Sequence, residues 1–289
     1  MTGARFVVLE DRGVLAIGGP DRASFLQGLV SNDTAKISAE RAIYAALLTA
    51  QGKYLHDFML VEIGETIWLD GEAARLADLK RRLTMYRLRA KVTIEERADL
   101  AVAAVYGGGA PGEPGAAEKL GDGVVFVDPR LAALGARAML PREQIGTVLR
   151  DRGAAPGDFA EYDRLRLGLG VPDGSRDLVL DKSILLESGF DELRGVDWDK
   201  GCYIGQELTA RTKYRGLIKK RLFPVRIDGP APEPGAIVTL DGRDAGEMRS
   251  SRDGAGLALL RLEAVGKGEL TAGDTTIVPL TPEWMRLPE

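Results

Sequence analysis

The chain of 289 residues contains one cysteine, Cys202, and one histidine, His56. A single cysteine excludes an intrachain disulfide framework and a self-contained iron–sulfur site, which needs about four thiolates. A single histidine argues against a zinc site built from histidine and cysteine. It also argues against a cysteine–histidine nucleophilic pair, because nothing in the sequence places His56 beside Cys202.

The sequence lacks a long apolar run and a strong excess of charge of either sign. Its first residues, MTGARFVVLEDRG, show neither the apolar region of a signal peptide nor the Arg/Ser bias of a transit peptide. We therefore predict a cytoplasmic location and no membrane partner. The net charge of −4 provides no global attraction to nucleic acid, so no nucleic-acid partner is expected and any anion site must be local.

The composition, with 45% hydrophobic and 28% charged residues, predicts a soluble globular protein. The length of 289 residues predicts two or three packed units. Residues 12–19 predict a strand, and a helix is expected to follow from Pro20. Three strands separated by QGK and GET turns are predicted next, and then a helix from Glu72 to about Arg89. From Leu222 onward, five short runs of strand type predict a small barrel or sandwich.

The cysteine lies in the segment WDKGCYIGQELTARTKYRG, residues 198–216. A thiol acts through its thiolate, which nearby cations favour, and Lys200 is two residues away. Gly201 and Gly205 leave the backbone bare on both sides, which suits close approach of a ligand or another chain. A small residue packed into a bend explains an unpaired cysteine equally well.

A basic run follows the cysteine and includes Arg211, Lys213 and Arg215. One interpretation of this run is a solvated strand or turn face. The other is a clamp for a carboxylate or phosphate, because arginine binds such groups with two parallel hydrogen bonds. The residues alone leave both interpretations open.

Three stretches carry a resemblance to a known family: KGCYIGQELTARTKYRG, GPDRASFLQGLVSND and ALLTAQGKYLHDFML. Together they resemble the YgfZ proteins, folate-binding factors of iron–sulfur cluster assembly or repair that are related to the T-protein of glycine cleavage, an aminomethyltransferase. The resemblance implies an α+β fold. Two interleaved α/β units would form a folate-binding platform with a central funnel (residues 1–217, the middle unit about 45–150), and a small β-barrel would occupy residues 218–289.

The resemblance also implies site residues. Asp57 matches the carboxylate that faces the folate nitrogens in the transferase relatives, and Glu187 matches the acceptor of the pterin N–H groups. Alternation of strand side chains directs His56 away from whatever Asp57 faces. The catalytic residues would be Cys202 and Asp57. Besides Glu187, the implied cofactor-binding residues are Lys200, Gly201, Tyr203, Gly205, Gln206, Glu207, Arg211 and Arg215.

Arg211 and Arg215 would meet the glutamate carboxylates of the folate. Tyr86, Arg87 and Arg89 are further candidates for the same contact, although the solvated side of an amphipathic helix explains them as well.

The function implied is that of a factor that binds tetrahydrofolate, or a one-carbon derivative of it, and helps assemble, deliver or repair iron–sulfur clusters. Cys202 would be its functional thiol, and its partners would be transient iron–sulfur client or assembly proteins met by a monomer. One alternative is a folate-dependent aminomethyl or methyl transferase that depends on Asp57. The other is a non-catalytic folate-sensing scaffold in which Cys202 is structural.

Overall fold

The computed structural model describes residues 3–109, 112–216 and 218–287. Its strands, in chain order, are β1 (Arg5–Val8), β2 (Arg12–Gly18), β3 (Ile43–Leu48), β4 (Tyr54–Ile63), β5 (Thr66–Glu72), β6 (Thr93–Glu96), β7 (Leu100–Tyr106), β8 (Ala117–Leu120), β9 (Gly123–Val127), β10 (Ala136–Pro141), β11 (Ala155–Pro156), β12 (Lys220–Asp228), β13 (Ile237–Leu240), β14 (Arg243–Arg252), β15 (Ala255–Arg261), β16 (Leu270–Ala272) and β17 (Thr275–Pro279).

The helices are α1 (Arg22–Gln27), α2 (Leu76–Tyr86), α3 (Ile145–Asp151), α4 (Phe159–Gly168), α5 (Gly174–Asp177) and α6 (Gln206–Tyr214). Among the described residues, none of these helices has the length and apolar character that a membrane span requires.

The chain divides into two units, each made of several segments. Unit 1 comprises Met1–Leu48, Leu55–Phe159 and Arg194–Ile204, and unit 2 comprises Thr49–Tyr54, Ala160–Leu193 and Gly205–Glu289. The finer boundaries predicted at about residues 45, 150 and 217 stay predictions, and residue 217 lies outside the described residues.

Unit 1 contains a five-stranded sheet in the order β3–β4–β5–β2–β6. Three of its strands, β3, β4 and β5, are the predicted trio separated by the QGK and GET turns, and β3 lies at one edge of the sheet. Helix α2 buries Leu76, Leu79 and Leu83, whose spacing of three and four residues places them on one face, within the same apolar core as the sheet. The helix is shorter than predicted because Glu72 still belongs to β5 and Leu88 takes a left-handed conformation at φ +44°.

A second sheet of unit 1 has the order β11–β1–β7–β10–β9–β8. A buried ion pair joins the two sheets: Asp70 of β5 accepts from Arg12 of β2 at 2.7 Å and from Arg137 of β10 at 3.0 Å. Asp70 is fully buried, and both arginines are nearly so. A carboxylate in such surroundings is stable only when it is paired, so the position of each sheet depends on the other.

Unit 2 contains a closed barrel of six strands in the order β12–β15–β14–β13–β16–β17. The predicted barrel after Leu222 is therefore confirmed, with β16 as a strand that the sequence pattern did not indicate. Its interior is apolar and includes Phe223, Met248 and Leu260.

Helix α4 of unit 2 is tied to the barrel by charge. Asp163 accepts from Arg166 at 2.8 Å and from Arg252 of β14 at 2.7 Å. Burial alone would raise the pKa of Asp163, but hydrogen bonds and charges of the surrounding arginines, including Arg176, lower it below its usual range.

The basic run after Cys202 is a helix. Helix α6 contains Arg211 and Lys213 in its last turn, so the interpretation of this run as a strand or turn face is wrong. Gly205 begins the helix in a left-handed conformation at φ +83°, which favours glycine because other residues meet a steric penalty there. The run contains too few apolar residues for the helical period to be visible in the sequence.

Candidate functional site

The thiol segment, residues 198–204, lies in unit 1 and has no regular secondary structure. Cys202 is exposed within it. The preceding carboxylate of Asp197 accepts the backbone N–H groups of Asp199 at 2.9 Å and Lys200 at 3.0 Å, and it pairs with Lys36. The approach to the thiol is thus a fixed turn and not a free loop.

The side chain of Lys200 anchors this segment to the region around residues 27–32. Its ammonium is buried and donates to three backbone carbonyls, those of Gln27 at 2.9 Å, Val30 at 2.6 Å and Asn32 at 2.7 Å. Burial lowers the pKa of Lys200 to about 8, while the charges of nearby aspartates act in the opposite direction. The ammonium also lies 5.1 Å from the ring centroid of Tyr203, which is buried on the other side of the thiol. An exposed sulfur therefore stands between two buried neighbours.

Asp57 lies in β4, and 6% of it is exposed. Its carboxylate accepts from the hydroxyl of Tyr44 at 2.8 Å. The neighbouring His56 points elsewhere, as the alternation of strand side chains predicts, and its Nε2 lies 2.9 Å from the carboxylate of Asp78 in α2. Burial lowers the pKa of His56 to about 4, so the ring is neutral near pH 7. His56 and Asp57 do not act as a pair.

Asn32 connects Asp57 to the thiol segment. Its side-chain amide donates to the backbone carbonyl of Tyr44 at 2.7 Å, and its backbone carbonyl accepts from the ammonium of Lys200. Asp57, Tyr44, Asn32 and Lys200 form one sequence of contacts within unit 1. Sequence reasoning missed Asn32 and Tyr44, although the quoted stretch GLVSND contains Asn32.

Glu187 lies in unit 2, in a 3₁₀ turn formed by Leu185–Ser188, and is half-buried. Burial raises the pKa of Glu187, and the positive charges of Lys53 and Lys220 act against that rise. The part of the chain that the structure describes offers its carboxylate no hydrogen-bond donor. A half-buried carboxylate of this kind can accept the N–H groups of a ligand.

Two neighbouring pieces of unit 2 surround Glu187. Helix α6 packs against its 3₁₀ turn. The QGK turn that contributes Lys53 approaches the start of α6 so closely that a Cβ on Gly52 would lie 2.9 Å from the carbonyl oxygen of Gly205. Gly52 also has φ +67°, so glycine is required there for both reasons.

The other predicted cofactor residues fall on both units. Gly201 and Tyr203 belong to unit 1, and a Cβ on Gly201 would meet no atom within 4 Å, so packing does not require glycine there. In unit 2, Arg211 pairs with Glu207 at 2.9 Å on the exposed side of α6, where Gln206 is the first residue. Arg215 follows the helix and is exposed.

Unit 1 thus brings Cys202, Lys200 and Asp57 into one connected region, and unit 2 brings Glu187 and Lys53 beside α6, the helix that carries Arg211. Two cavities of unit 1, of about 360 and about 610 Å³, are lined by other residues. The roles assigned to all these residues stay predictions.

Comparisons with known proteins identify the family. The chain is 37% identical to the human protein named iron–sulfur cluster assembly factor IBA57, mitochondrial, and 36% identical to the mouse protein of that name. In each case the match covers 96% of this chain and 84% of the relative. The chain belongs to the IBA57 family. Residues 219–287 match the family model described as the C-terminal β-barrel domain of CAF17.

The fold of this IBA57-family chain is similar to that of a solved protein. The glycine cleavage system aminomethyltransferase T from Bartonella henselae matches with a TM-score of 0.78 and 15% identity over 97% of this chain and 86% of that one. This likeness and the barrel match confirm the predicted fold class, an aminomethyltransferase-like α+β region with a C-terminal barrel. The predicted resemblance is confirmed in its iron–sulfur part, whereas the YgfZ name is not carried by these relatives.

The prediction of a cytoplasmic location is wrong, because the mouse and human relatives are named as mitochondrial proteins. The predicted monomeric state and the predicted lack of nucleic-acid and membrane partners stay predictions.

Proposed function

We propose that this protein binds tetrahydrofolate and helps assemble, deliver or repair iron–sulfur clusters in mitochondrial client proteins, with Cys202 as its functional thiol. The observation that carries the proposal is the exposed sulfur of Cys202 between the buried side chains of Lys200 and Tyr203. A packing cysteine would be buried, whereas Cys202 is exposed in an anchored turn. The names of the relatives, which are iron–sulfur cluster assembly factors, support the cluster part of the proposal.

The presence of only one cysteine determines how the protein could bind a cluster. A thiolate is a preferred ligand of iron in iron–sulfur clusters, but one thiolate supplies only one of about four ligands. The remaining ligands would come from a partner protein or a small thiol, so the cluster would be shared and transient. Coordination releases the thiol proton to solvent. An anchored segment loses little conformational freedom when it coordinates, which favours capture over a flexible loop.

The folate part rests on unit 2. The carboxylate of Glu187 would accept hydrogen bonds from the pterin N–H groups, and its lack of a donor among the described residues fits that role. Arg215 and Arg211 would attract the glutamate carboxylates of the ligand. When bound, tetrahydrofolate would supply its N5 and N10 nitrogens as carriers of a one-carbon unit.

The test replaces Cys202 by alanine and by serine in cells that lack the native protein. Both Cys202→Ala and Cys202→Ser should fold normally and bind tetrahydrofolate with unchanged affinity, yet reduce the activity of iron–sulfur client enzymes at least ten-fold. Asp199→Ala, an exposed neighbour in the same turn, is the matched control and should support full client activity. Normal client activity in both cysteine variants would refute the thiol role.

A second candidate is a folate-dependent aminomethyl or methyl transferase. The observation that favours it is the carboxylate of Asp57, which the Tyr44 hydroxyl orients in the strand where the transferase relatives have their reactive carboxylate. This candidate predicts methylenetetrahydrofolate formation from tetrahydrofolate and an amine donor, with loss of turnover in Asp57→Asn. A purified protein that forms no product with any amine donor would exclude it.

A further inference from the structure

The end of helix α2 and the residues after it expose an unusual combination of side chains. Residues 84–91, which we call the basic tip, expose Met85 (65%), Tyr86 (46%) and Leu88 (89%) within four positions. Large apolar side chains clustered on a soluble surface mark an interaction site more often than isolated ones do.

Positive charge surrounds these apolar side chains. The cations on or beside the tip are Lys80, Arg81, Arg82, Arg87, Arg89 and Lys91. Between residues 78 and 94 the only acidic residue is Asp78, which binds both Arg81 and Arg82. Arg87, Arg89 and Lys91 form no ion pair with any described residue. The tip is therefore a concentrated positive site on a chain whose net charge is −4.

The tip is also held in place. At its end, the backbone N–H of Lys91 donates to the carboxylate of Asp21 at 2.7 Å. Gly19 lies so close that a Cβ there would be 2.1 Å from the carbonyl oxygen of Lys91. Leu88 keeps φ +44°, a left-handed conformation that is strained for leucine, and nonetheless exposes its side chain. Glycine would fit this backbone better, yet the position holds a leucine whose side chain is 89% exposed.

We propose that the basic tip docks an acidic protein surface into which Met85, Tyr86 and Leu88 insert. Arginine, tyrosine and methionine are enriched at protein interfaces, and a partner surface that carries carboxylates would be complementary in charge to the cations of the tip. A second copy of this chain docked symmetrically would place the same cations face to face. An interfacial membrane helix needs a longer apolar face than three side chains at the end of a helix provide.

The test measures binding of a fluorescent synthetic helical peptide, with glutamates on one face and leucine at every fourth position, by anisotropy. Wild-type protein should bind it at 50 mM salt and release it at 300 mM, and a peptide with glutamine in place of glutamate should bind at least ten-fold more weakly. The double variant Arg87→Gln/Arg89→Gln should lose at least ten-fold in affinity. The charge-matched control Arg41→Gln/Lys119→Gln, at exposed sites elsewhere in unit 1, should not.

Leu88→Gly separates docking from folding. It should raise the unfolding temperature, because it relieves the left-handed leucine, and weaken peptide binding about ten-fold, whereas Ile237→Ser at an exposed barrel position should leave binding unchanged. Equal binding by wild type and the tip variants would overturn the proposal. Binding to phosphatidylserine vesicles without binding to the acidic peptide would also overturn it. Cys202→Ala should bind the peptide normally, so a failure here is distinct from a failure of the thiol role.

Discussion

The buried ionisable groups of unit 1 differ from Glu187 of unit 2 in what their polar atoms contact. Lys200 donates to three carbonyls, and His56 bonds to Asp78. Glu187 is half-buried, yet no described residue donates a hydrogen bond to it. A buried polar group satisfied by its own fold serves that fold, whereas one without a donor is suited to a ligand. The difference predicts a positioning role for Lys200 and His56 and a ligand-binding role for Glu187.

The largest effect is expected for Lys200→Met, which tests whether Lys200 serves the fold. Three backbone carbonyls would lose their donor, and unsatisfied buried polar groups cost about 1–3 kcal/mol each, offset in part by removal of a buried charge. We expect a loss of about 3 kcal/mol in the free energy of unfolding, measured by urea denaturation. Alkylation of Cys202 by a maleimide should also change in rate, because its segment is no longer anchored.

Lys36→Met is the matched control for Lys200→Met. Lys36 pairs with Asp197 in the same region, but about half of its side chain is exposed, so its removal should cost less than about 1 kcal/mol. If Lys200→Met proved no more destabilising than Lys36→Met, the three carbonyl contacts would not anchor the thiol segment.

A smaller effect is expected at His56, through pH. Its pKa is about 4 in the folded protein against about 6.5 in the unfolded chain. As the pH falls below 6.5, His56 becomes protonated in the unfolded chain but stays neutral in the folded protein. The free energy of unfolding therefore falls until about pH 4. Between pH 7 and pH 5, wild type should lose about 2 kcal/mol more than His56→Gln, measured by denaturation at both pH values. Equal losses would show that the pKa of His56 is not lowered in the folded protein.

The next effect in size is expected on ligand binding. Glu187→Gln removes a charged acceptor and should weaken tetrahydrofolate binding about ten-fold, or about 1.4 kcal/mol, by calorimetry. Asp191→Asn makes the same charge change in unit 2 at a residue paired with Lys213, and should leave affinity unchanged. Equal affinity of Glu187→Gln and wild type would remove Glu187 from the folate site.

The same variant tests the sign of the pKa shift of Glu187. Because burial raises that pKa above its value in the unfolded chain, wild type loses stability as the pH rises through the unfolded value, and the loss is complete above the folded value. Glu187→Gln does not titrate, so it should gain slightly in stability relative to wild type between pH 4 and pH 7. A variant less stable at pH 7 would show that Glu187 serves the fold after all.

The strands could be predicted because their signals are local. The QGK and GET turns delimit β3, β4 and β5, and short runs with turn residues between them indicate the barrel. Helix α6 could not be predicted, because its start depends on the left-handed Gly205 and its sequence shows no apolar stripe. The end of α2 at Tyr86 could not be predicted for a similar reason, since nothing in the sequence marks Leu88 as a residue that takes a left-handed conformation.

The site was predicted only in part. Cys202 stood out as the only thiol, and Asp57 and Glu187 came from resemblance. The contacts of Lys200 could not be foreseen, because its three acceptors lie about 170 residues earlier in the chain and are backbone atoms that any residue type provides. The same holds for Asn32, whose amide binds another backbone carbonyl.

The anchoring of Lys200 has a consequence for the order of events during synthesis. Its three acceptors are synthesised about 170 residues before the lysine, so these contacts form only after residue 200 has been added to the chain. Cys202 is held in its anchored turn only when residues 27–32 are correctly folded and residues 198–204 have docked against them. A chain damaged around residues 27–32 would then still contain its cysteine, but would hold it wrongly.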